Sequence, residues 1–262
     1  MTLQSELLDL ASTLARTAGQ MVRDGRRRGV AEVTTKSSAT DMVTEFDRAS
    51  ERYIVGRILD ARPNDGIVGE EGTDTEGTTG IRWLVDPIDG TTNFLYGLAG
   101  YAVSVAAADE RGALAGAVYL PATDELFAAA RDGGATCNGE PIGPSPNRVL
   151  SGALVGTGFS YLAERRVLQA ARVASIIGEV RDIRRFGAAS ADICYVAAGR
   201  LDAYFEEHLA PWDVAAGELI AREAGCRTGD FGGGPMRPAQ LLVTTPALFE
   251  SFVTLLSRPI AP

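Results

Sequence analysis

The stretch Asp86-Pro87-Ile88-Asp89-Gly90-Thr91-Thr92-Asn93-Phe94 constrains this chain more than any other. It follows the apolar run Trp83-Leu84-Val85, which reads as a buried strand ending at Asp86. Pro87 biases Asp86 to extended backbone, and Asp89-Gly90 then turns the chain. The two carboxylates can converge just beyond the strand end. Thr91, Thr92 and Asn93 can open a helix, whose first backbone N–H groups are unpaired and form an anion site. Asp-Pro and Asp-Gly are each ordinary turn pairs. Together the nine residues supply more acceptors than a turn needs, and they read as a place for a cation beside a place for a phosphate.

The rest of the chain is layered helix and strand. Leu3, Leu7, Leu10, Leu14, Ala18 and Met21 recur at helical spacing, so a helix is expected over about residues 3–28. A second is expected from near Asp41, with Val43, Phe46, Ala49, Tyr53 and Ile58 as its stripe and Pro63 beyond its end. Gly66–Gly69 and Ile81–Val85 read as strands. Tyr101–Ala108, Ala113–Leu120 and Leu126–Ala130 read as an antiparallel set, with Asn138-Gly139 marking a further turn. Strands at 153–156, 180–186, 202–206 and 241–244 then alternate with helices near 163–177, 190–199, 213–224 and from Pro246. At 262 residues the chain suits one large or two intimate lobes. We expect an antiparallel-rich lobe over 1–147 that carries most of the acids, and a smaller alternating lobe over 148–262.

Two more acidic places stand out. Glu70-Glu71 ends a strand and alone would be a surface turn. Asp213, at the start of a helix, equally suits an N-cap. Gathering Glu70, Asp86, Asp89 and Asp213 in one pocket would raise their pKa values unless cations neutralise them. An all-oxygen set favours hard ions such as magnesium. His208 is the only histidine, which excludes a zinc site resting on imidazoles; it reads as a structural or surface residue. There is no phosphate loop with its lysine and no Gly-x-Ser-x-Gly elbow. Aspartyl-phosphate phosphatases of the haloacid dehalogenase type want acids two apart, whereas Asp86 and Asp89 are three apart.

Gly69-Glu70-Glu71, the Asp86–Phe94 string and Trp212-Asp213-Val214-Ala215-Ala216-Gly217 together resemble the signatures of the inositol monophosphatase family, within the wider group that includes fructose-1,6-bisphosphatases. The resemblance spans Lys36 to the Gly225 region. It implies an α+β fold, a five-layer α-β-α-β-α sandwich, and a magnesium-dependent phosphomonoesterase with two to three ions per site. By position it implies that Glu70, Asp86 and the Ile88 carbonyl hold one ion, that Asp86, Asp89 and Asp213 hold a second, and that a weaker third lies near Glu70. Thr91 and Asp47 would aim the attacking water. The Gly90 and Thr91 amides, with Thr92 beside them, would face the phosphate. Gly187, Ala188 and Ala189 would line the substrate pocket together with Asp213, and Glu206 would bind substrate hydroxyls. Lys36, Ser37 and Ser38 match a mobile loop over the metals, although Ala39 stands where many relatives have proline. Lithium inhibition and a homodimer are implied as well. Sibling specificities are histidinol phosphate, fructose bisphosphate and 3′-phosphoadenosine nucleotides. Some bacterial relatives are reported to bind transcription machinery, so a partner-binding role beside catalysis stays open.

Composition adds exclusions. The formal net charge is −9, with one lysine, Lys36, against 24 arginines. The densest basic run, Arg26-Arg27-Arg28, reads as the last turn of the first helix, complementing its dipole. Neither nucleic acid nor an anionic membrane is expected as a partner; a small phosphate ester is. Cys137, Cys194 and Cys226 are odd in number and widely spaced, which fits neither a disulfide framework nor a zinc site. No signal-peptide or membrane-span pattern is read, so the cytoplasm is the expected compartment.

Overall fold

A computed structural model describes residues 2–28, 33–35 and 42–260; Lys36, Ser37 and Ser38, with the loop expected of them, lie outside these. Two sheets carry the architecture. Eight strands run in the order β10-β9-β8-β7-β6-β5-β3-β4. They are β3 (Gly66–Gly69), β4 (Asp74–Thr75), β5 (Arg82–Asp89), β6 (Ala102–Asp109), β7 (Gly112–Leu120), β8 (Glu125–Ala130), β9 (Ala135–Cys137) and β10 (Glu140–Pro141). Five more run in the order β12-β11-β13-β15-β14. These are β11 (Leu154–Thr157), β12 (Asp182–Arg184), β13 (Ala203–Glu207), β14 (Arg227–Gly229) and β15 (Gln240–Thr244). A short hairpin pairs β1 (Val33–Thr35) with β2 (Met42–Thr44).

Five layers follow from where apolar side chains point. Helices α1 (Leu3–Arg28) and α2 (Glu45–Ala61) cover the outer face of the large sheet. Leu7 and Leu14 of α1 and Ile54 and Ile58 of α2 pack there with Trp83, Val85, Val103, Val105 and Tyr119. The opposite face of the large sheet meets α5 (Ala189–Ala197) and α6 (Pro211–Glu223), which in turn meet the small sheet. Ala102, Ala106 and Val118 pack there with Ile193, Leu219, Tyr204 and Val243. Helices α4 (Ala163–Ile176) and α7 (Phe249–Leu256) cover the far face of the small sheet through Ile176, Phe249 and Phe252. The expected α-β-α-β-α sandwich is the observed one.

Strand β6 shows why the apolar runs looked continuous. Val103, Val105 and Ala107 face α1 and α2, whereas Ala102 and Ala106 face α5 and α6. Both faces are buried, so the period-2 alternation is between large and small side chains, not between apolar and polar. Small residues let the middle helices lie close. A Cβ on Gly116 would stand 2.9 Å from the Ala216 Cα, so α6 rests almost directly on β7.

The local expectations need several corrections. The helix expected from Asp41 begins at Glu45; Val43 belongs to β2, and Thr44 caps the helix by accepting from the Phe46 and Asp47 amides. The capping residue therefore starts α2 later than the apolar stripe suggested. The strand expected to end at Asp86 runs on to Asp89. The 180–186 strand is only Asp182–Arg184. The second half is not simply alternating: β14 was not expected, and it pairs antiparallel with β15, which pairs antiparallel with β13. The Arg26 guanidinium does more than complement a dipole. Its Nε donates to Phe94 O at 2.7 Å and a terminal nitrogen donates to Leu95 O at 3.1 Å, closing the end of α3 (Thr91–Tyr96).

Candidate active site

The bulge in β5 creates the site. Asp86 pairs with Ser104 and Asp89 with Ala102, so three steps along β5 oppose two along β6. In a regular strand, residues three apart point to opposite faces. The extra residue restores the phase and puts both carboxylates on one side. Pro87 sits in the bulge, where its missing N–H leaves no donor unpaired, and the Pro87 carbonyl accepts from Ser50 Oγ at 3.1 Å. Ile88 turns inward, packed with Val22, Phe94 and Tyr101. Gly90 follows at φ 88°, and a Cβ there would lie 2.7 Å from Gly100 O, so only glycine makes this turn without strain.

Four other segments bring side chains to the same place. Glu70 follows the end of β3, Ala188 and Ala189 lead into α5, Glu206 lies on β13, and Asp213 lies in the first turn of α6. With Asp86, Ile88, Asp89, Gly90, Thr91 and Gly187 they line one cavity of about 310 Å³. Asp47 does not line it but reaches its wall through Thr91, whose hydroxyl donates to Asp47 Oδ1 at 3.1 Å. Thr92 is not among the lining residues. His208, read from sequence as structural or surface, lies at the cavity wall with a left-handed φ of 68°.

The carboxylates differ in how they are held. Asp89 accepts from the Ser190 amide at 2.7 Å, from Ser190 Oγ at 2.6 Å and from the Ala189 amide at 3.2 Å. Asp86 accepts from the Ile88 amide at 3.1 Å. Burial raises both pKa values. For Asp89 the Ser190 bonds oppose it, and its carboxyl is pushed up only to about 6. For Asp86 the charges of Glu70, Asp89 and Asp213 add to burial, and its carboxyl is held well above the ordinary range. An uncompensated buried charge costs several kcal/mol. A hydrogen bond to a charged group returns about 1.5–3 kcal/mol. Three donors can therefore offset most of the cost at Asp89, whereas at Asp86 the neighbouring carboxylates deepen it. Asp213 is raised too, by burial and then by Asp89, although its Oδ2 accepts from the Ala210 amide at 2.7 Å. It is thus not the N-cap of α6; Ala210 is, and Asp213 reaches back to it from the third helical position.

This donor set suits hard divalent cations. It is all oxygen and carries an excess of negative charge that Arg185 alone on the cavity wall does not balance. Among the described residues no three acidic, histidine or cysteine side chains meet at one point as an ion would require. The reason is visible in the bonds just given: Asp89 and Asp213 face backbone amides.

Several supporting residues carried no signal in the sequence. Glu51 accepts from the Glu71 amide at 2.7 Å and from Thr73 Oγ1 at 2.7 Å, fixing the turn that presents Glu70. A Cβ on Gly69 would lie 2.5 Å from Glu51 Oε2, which explains the glycine before Glu70. Asn93 Nδ2 donates to Gly100 O and to Phe186 O, joining α3 to the segment before Gly187. Ser190 and Asp192 were read only as helix residues. A serine or aspartate in the first turn of a helix has an ordinary local use, so nothing marked them.

Similarity agrees with this geometry. The model of the inositol monophosphatase family matches residues 3–258. An inositol-1-monophosphatase of Rhizobium meliloti is 42% identical over 234 residues, 87% of each chain. A protein of Pasteurella multocida named Nus factor SuhB is 41% identical over 230 residues, 87% of this chain and 86% of its own. The crystal structure of the extragenic suppressor protein suhB from Bartonella henselae superposes with a TM-score of 0.91 at 35% identity, covering 97% of this chain and all of that one.

Proposed function

The chain belongs to the inositol monophosphatase family and is a phosphoric monoester hydrolase, and from that premise we propose that it is magnesium-dependent and acts on inositol monophosphate or a similar polyol phosphate. The observation that carries this reading is the convergence of Glu70 after β3, Asp86 and Asp89 on β5, and Asp213 on α6 on one cavity. Glu70, Asp86 and the Ile88 carbonyl would hold one ion, Asp86, Asp89 and Asp213 a second, and Glu70 a weaker third. Bound there, such ions lower the pKa of a water and stabilise the leaving oxygen.

The chain's own groups supply position. Asp47, held by the Thr44 amide at 2.7 Å, accepts from Thr91 and fixes its hydroxyl. With its proton directed to Asp47, Thr91 Oγ1 has lone pairs free to accept from, and aim, an attacking water. The Gly90 and Thr91 amides, with Thr92 next in the chain, face the phosphate. Gly187, Ala188 and Ala189 bound the pocket with backbone. Glu206 accepts from substrate hydroxyls and is itself oriented by the Tyr204 hydroxyl. Attack is direct, without a covalent enzyme intermediate, and gives alcohol and inorganic phosphate.

A phosphate-release screen with magnesium, across polyol, sugar, histidinol, fructose bisphosphate and 3′-phosphoadenosine substrates, tests this. Highest kcat/KM on a polyol monophosphate supports the reading; a clear preference for histidinol phosphate or a nucleotide would replace it by a sibling specificity. A second reading, a partner-binding role beside catalysis, is favoured only by relatives named Nus factor. Binding of transcription components that survives Asp213→Asn would support it. We also propose a homodimer in the cytoplasm, which sedimentation and cell fractionation would check; no helix among the described residues is long and apolar enough to cross a membrane.

A further inference from the structure

Asp192 stands on the cavity wall and has no part in the mechanism above. It lies in the first turn of α5, three residues after Ala189. Only 1% of it is exposed, it lines the same cavity as Glu206, and its Oδ1 has no hydrogen-bond partner. It is the one buried side-chain oxygen or nitrogen among the described residues left so.

A local structural role accounts for only part of this. The Gly187 backbone lies close enough to ease the charge of the Asp192 carboxylate at the start of α5. That explains the acid but not the orphan oxygen. Leaving a buried acceptor unpaired is costly, and folded proteins seldom tolerate it. Oδ1 is itself buried, so the carboxylate must turn about its Cβ–Cγ bond to meet whatever fills the cavity that Asp192 lines. Around Asp192 the wall is acidic: Asp89 and Glu206 oppose its charge, and Arg185 partly offsets it. A hydroxyl donor fits such a wall. A second phosphate does not.

We propose that Asp192 is a second hydroxyl-binding residue, its Oδ1 accepting from a hydroxyl of a neutral polyol monophosphate beside the hydroxyl taken by Glu206. This rests on the phosphomonoesterase reading and deepens it. Asp192 and Glu206 lie on different elements, α5 and β13, so together they read two hydroxyls of one ring. The same pair turns away esters that carry another anionic group at that end.

The test compares wild type, Asp192→Leu and Asp192→Asn on inositol 1-phosphate and on p-nitrophenyl phosphate, which has no hydroxyl for the wall. For Asp192→Leu, kcat/KM on inositol 1-phosphate should fall roughly tenfold more than on the aryl ester, mostly through KM, as expected for a lost hydrogen bond. Asp192→Asn, which keeps an oxygen acceptor, should recover most of that selective loss. Equal losses on both substrates, or no selective loss, would overturn the proposal. Should Asp192→Leu not fold, Asp192→Ala with mono-deoxy inositol phosphates decides: loss of one hydroxyl must cost Asp192→Ala less than it costs wild type, and the absence of any such analogue overturns the proposal equally. A wild-type protein inactive on every phosphate ester would overturn the phosphomonoesterase reading instead; an active wild type with an unselective Asp192 overturns only this one.

Discussion

The Thr91 hydroxyl donates to Asp47 Oδ1 at 3.1 Å and so ties α3 to α2 across 44 positions of sequence. The same oxygen is 3.0 Å from Ile88 O, yet it has one proton to give. An ionised Asp47 is the stronger acceptor and directs the proton to itself. Thr91→Val keeps the β-branch and the backbone N–H and removes only this relay. Substrate affinity should change little, and kcat and kcat/KM should fall together by about 10²–10⁴-fold. The double variant with Asp47→Asn should lose far less than the product of the two single losses. Multiplicative losses in steady-state kinetics would mean that the two residues act separately. Asp47→Asn also weakens the cap on Thr44, so a stability loss of about 0.5–2 kcal/mol should accompany it.

Asp213→Asn is the cleaner of the two ligand swaps in the acid cluster. Asn can still accept from the Ala210 amide as Asp213 Oδ2 does, whereas Asn at 89 would turn a donor toward either the Ala189 or the Ser190 amide. Turnover should nearly vanish in Asp213→Asn. Without divalent ions the variant should melt no lower than wild type, because one of the mutually repelling carboxylates is gone. Near-normal activity at ordinary magnesium would remove Asp213 from the ion site.

Glu206 owes its position to Gly158, where a Cβ would stand 2.1 Å from Glu206 Oε2. Glu206→Ala should weaken hydroxyl-rich substrates more than a generic aryl phosphate. Gly158→Ala should reproduce that selectivity without touching the carboxylate. A uniform loss in both variants, measured as kcat/KM on the two substrates, would assign Glu206 to the fold or the metals.

Asp65, which does not line the cavity, supplies a pH-dependent share of stability. It accepts from Arg62 Nε at 2.9 Å, Thr79 Oγ1 at 2.6 Å and the buried Trp83 Nε1 at 3.0 Å. Burial alone would raise its pKa, but these bonds outweigh burial and hold the carboxyl below its ordinary value. A lowered folded-state pKa gives stability that is present above the unfolded value of about 3.9 and is lost as pH falls through the folded one. Asp65→Ala should cost about 1–3 kcal/mol at pH 7, since it orphans the Trp83 N–H. In urea denaturation, the gap to wild type should narrow below about pH 4. A gap independent of pH would rule out the charged form as its source.

Chelating divalent ions should abolish phosphate release and leave the fold intact by circular dichroism. Returning magnesium should restore it. Tens of millimolar lithium should inhibit; full activity there would set this chain apart from lithium-sensitive members.

How far the sequence reached depends on the range of each interaction. Helix α1, the strands β6 to β8 and the order of α4 to α7 were legible because apolar periodicity and turn residues act over a few positions. The paired acids, the turn and the helix start of the Asp86–Phe94 string were legible for the same reason: all its groups are neighbours in the chain. The bulge was not, because it exists only as three steps of β5 against two of β6. Nor were Glu51, Ser190 and Asp192, each ordinary within its own helix. Glu51 gains its role from Glu71 and Thr73, and Ser190 from Asp89, 101 positions away. The sequence by itself determined which chemistry the chain carries, since residue types and local spacing set what can ligate and what can turn. Only the tertiary structure decided which carboxylates gain amide donors and how strongly they repel one another, because burial and charge repulsion act between elements that meet only when the sheets and helices pack.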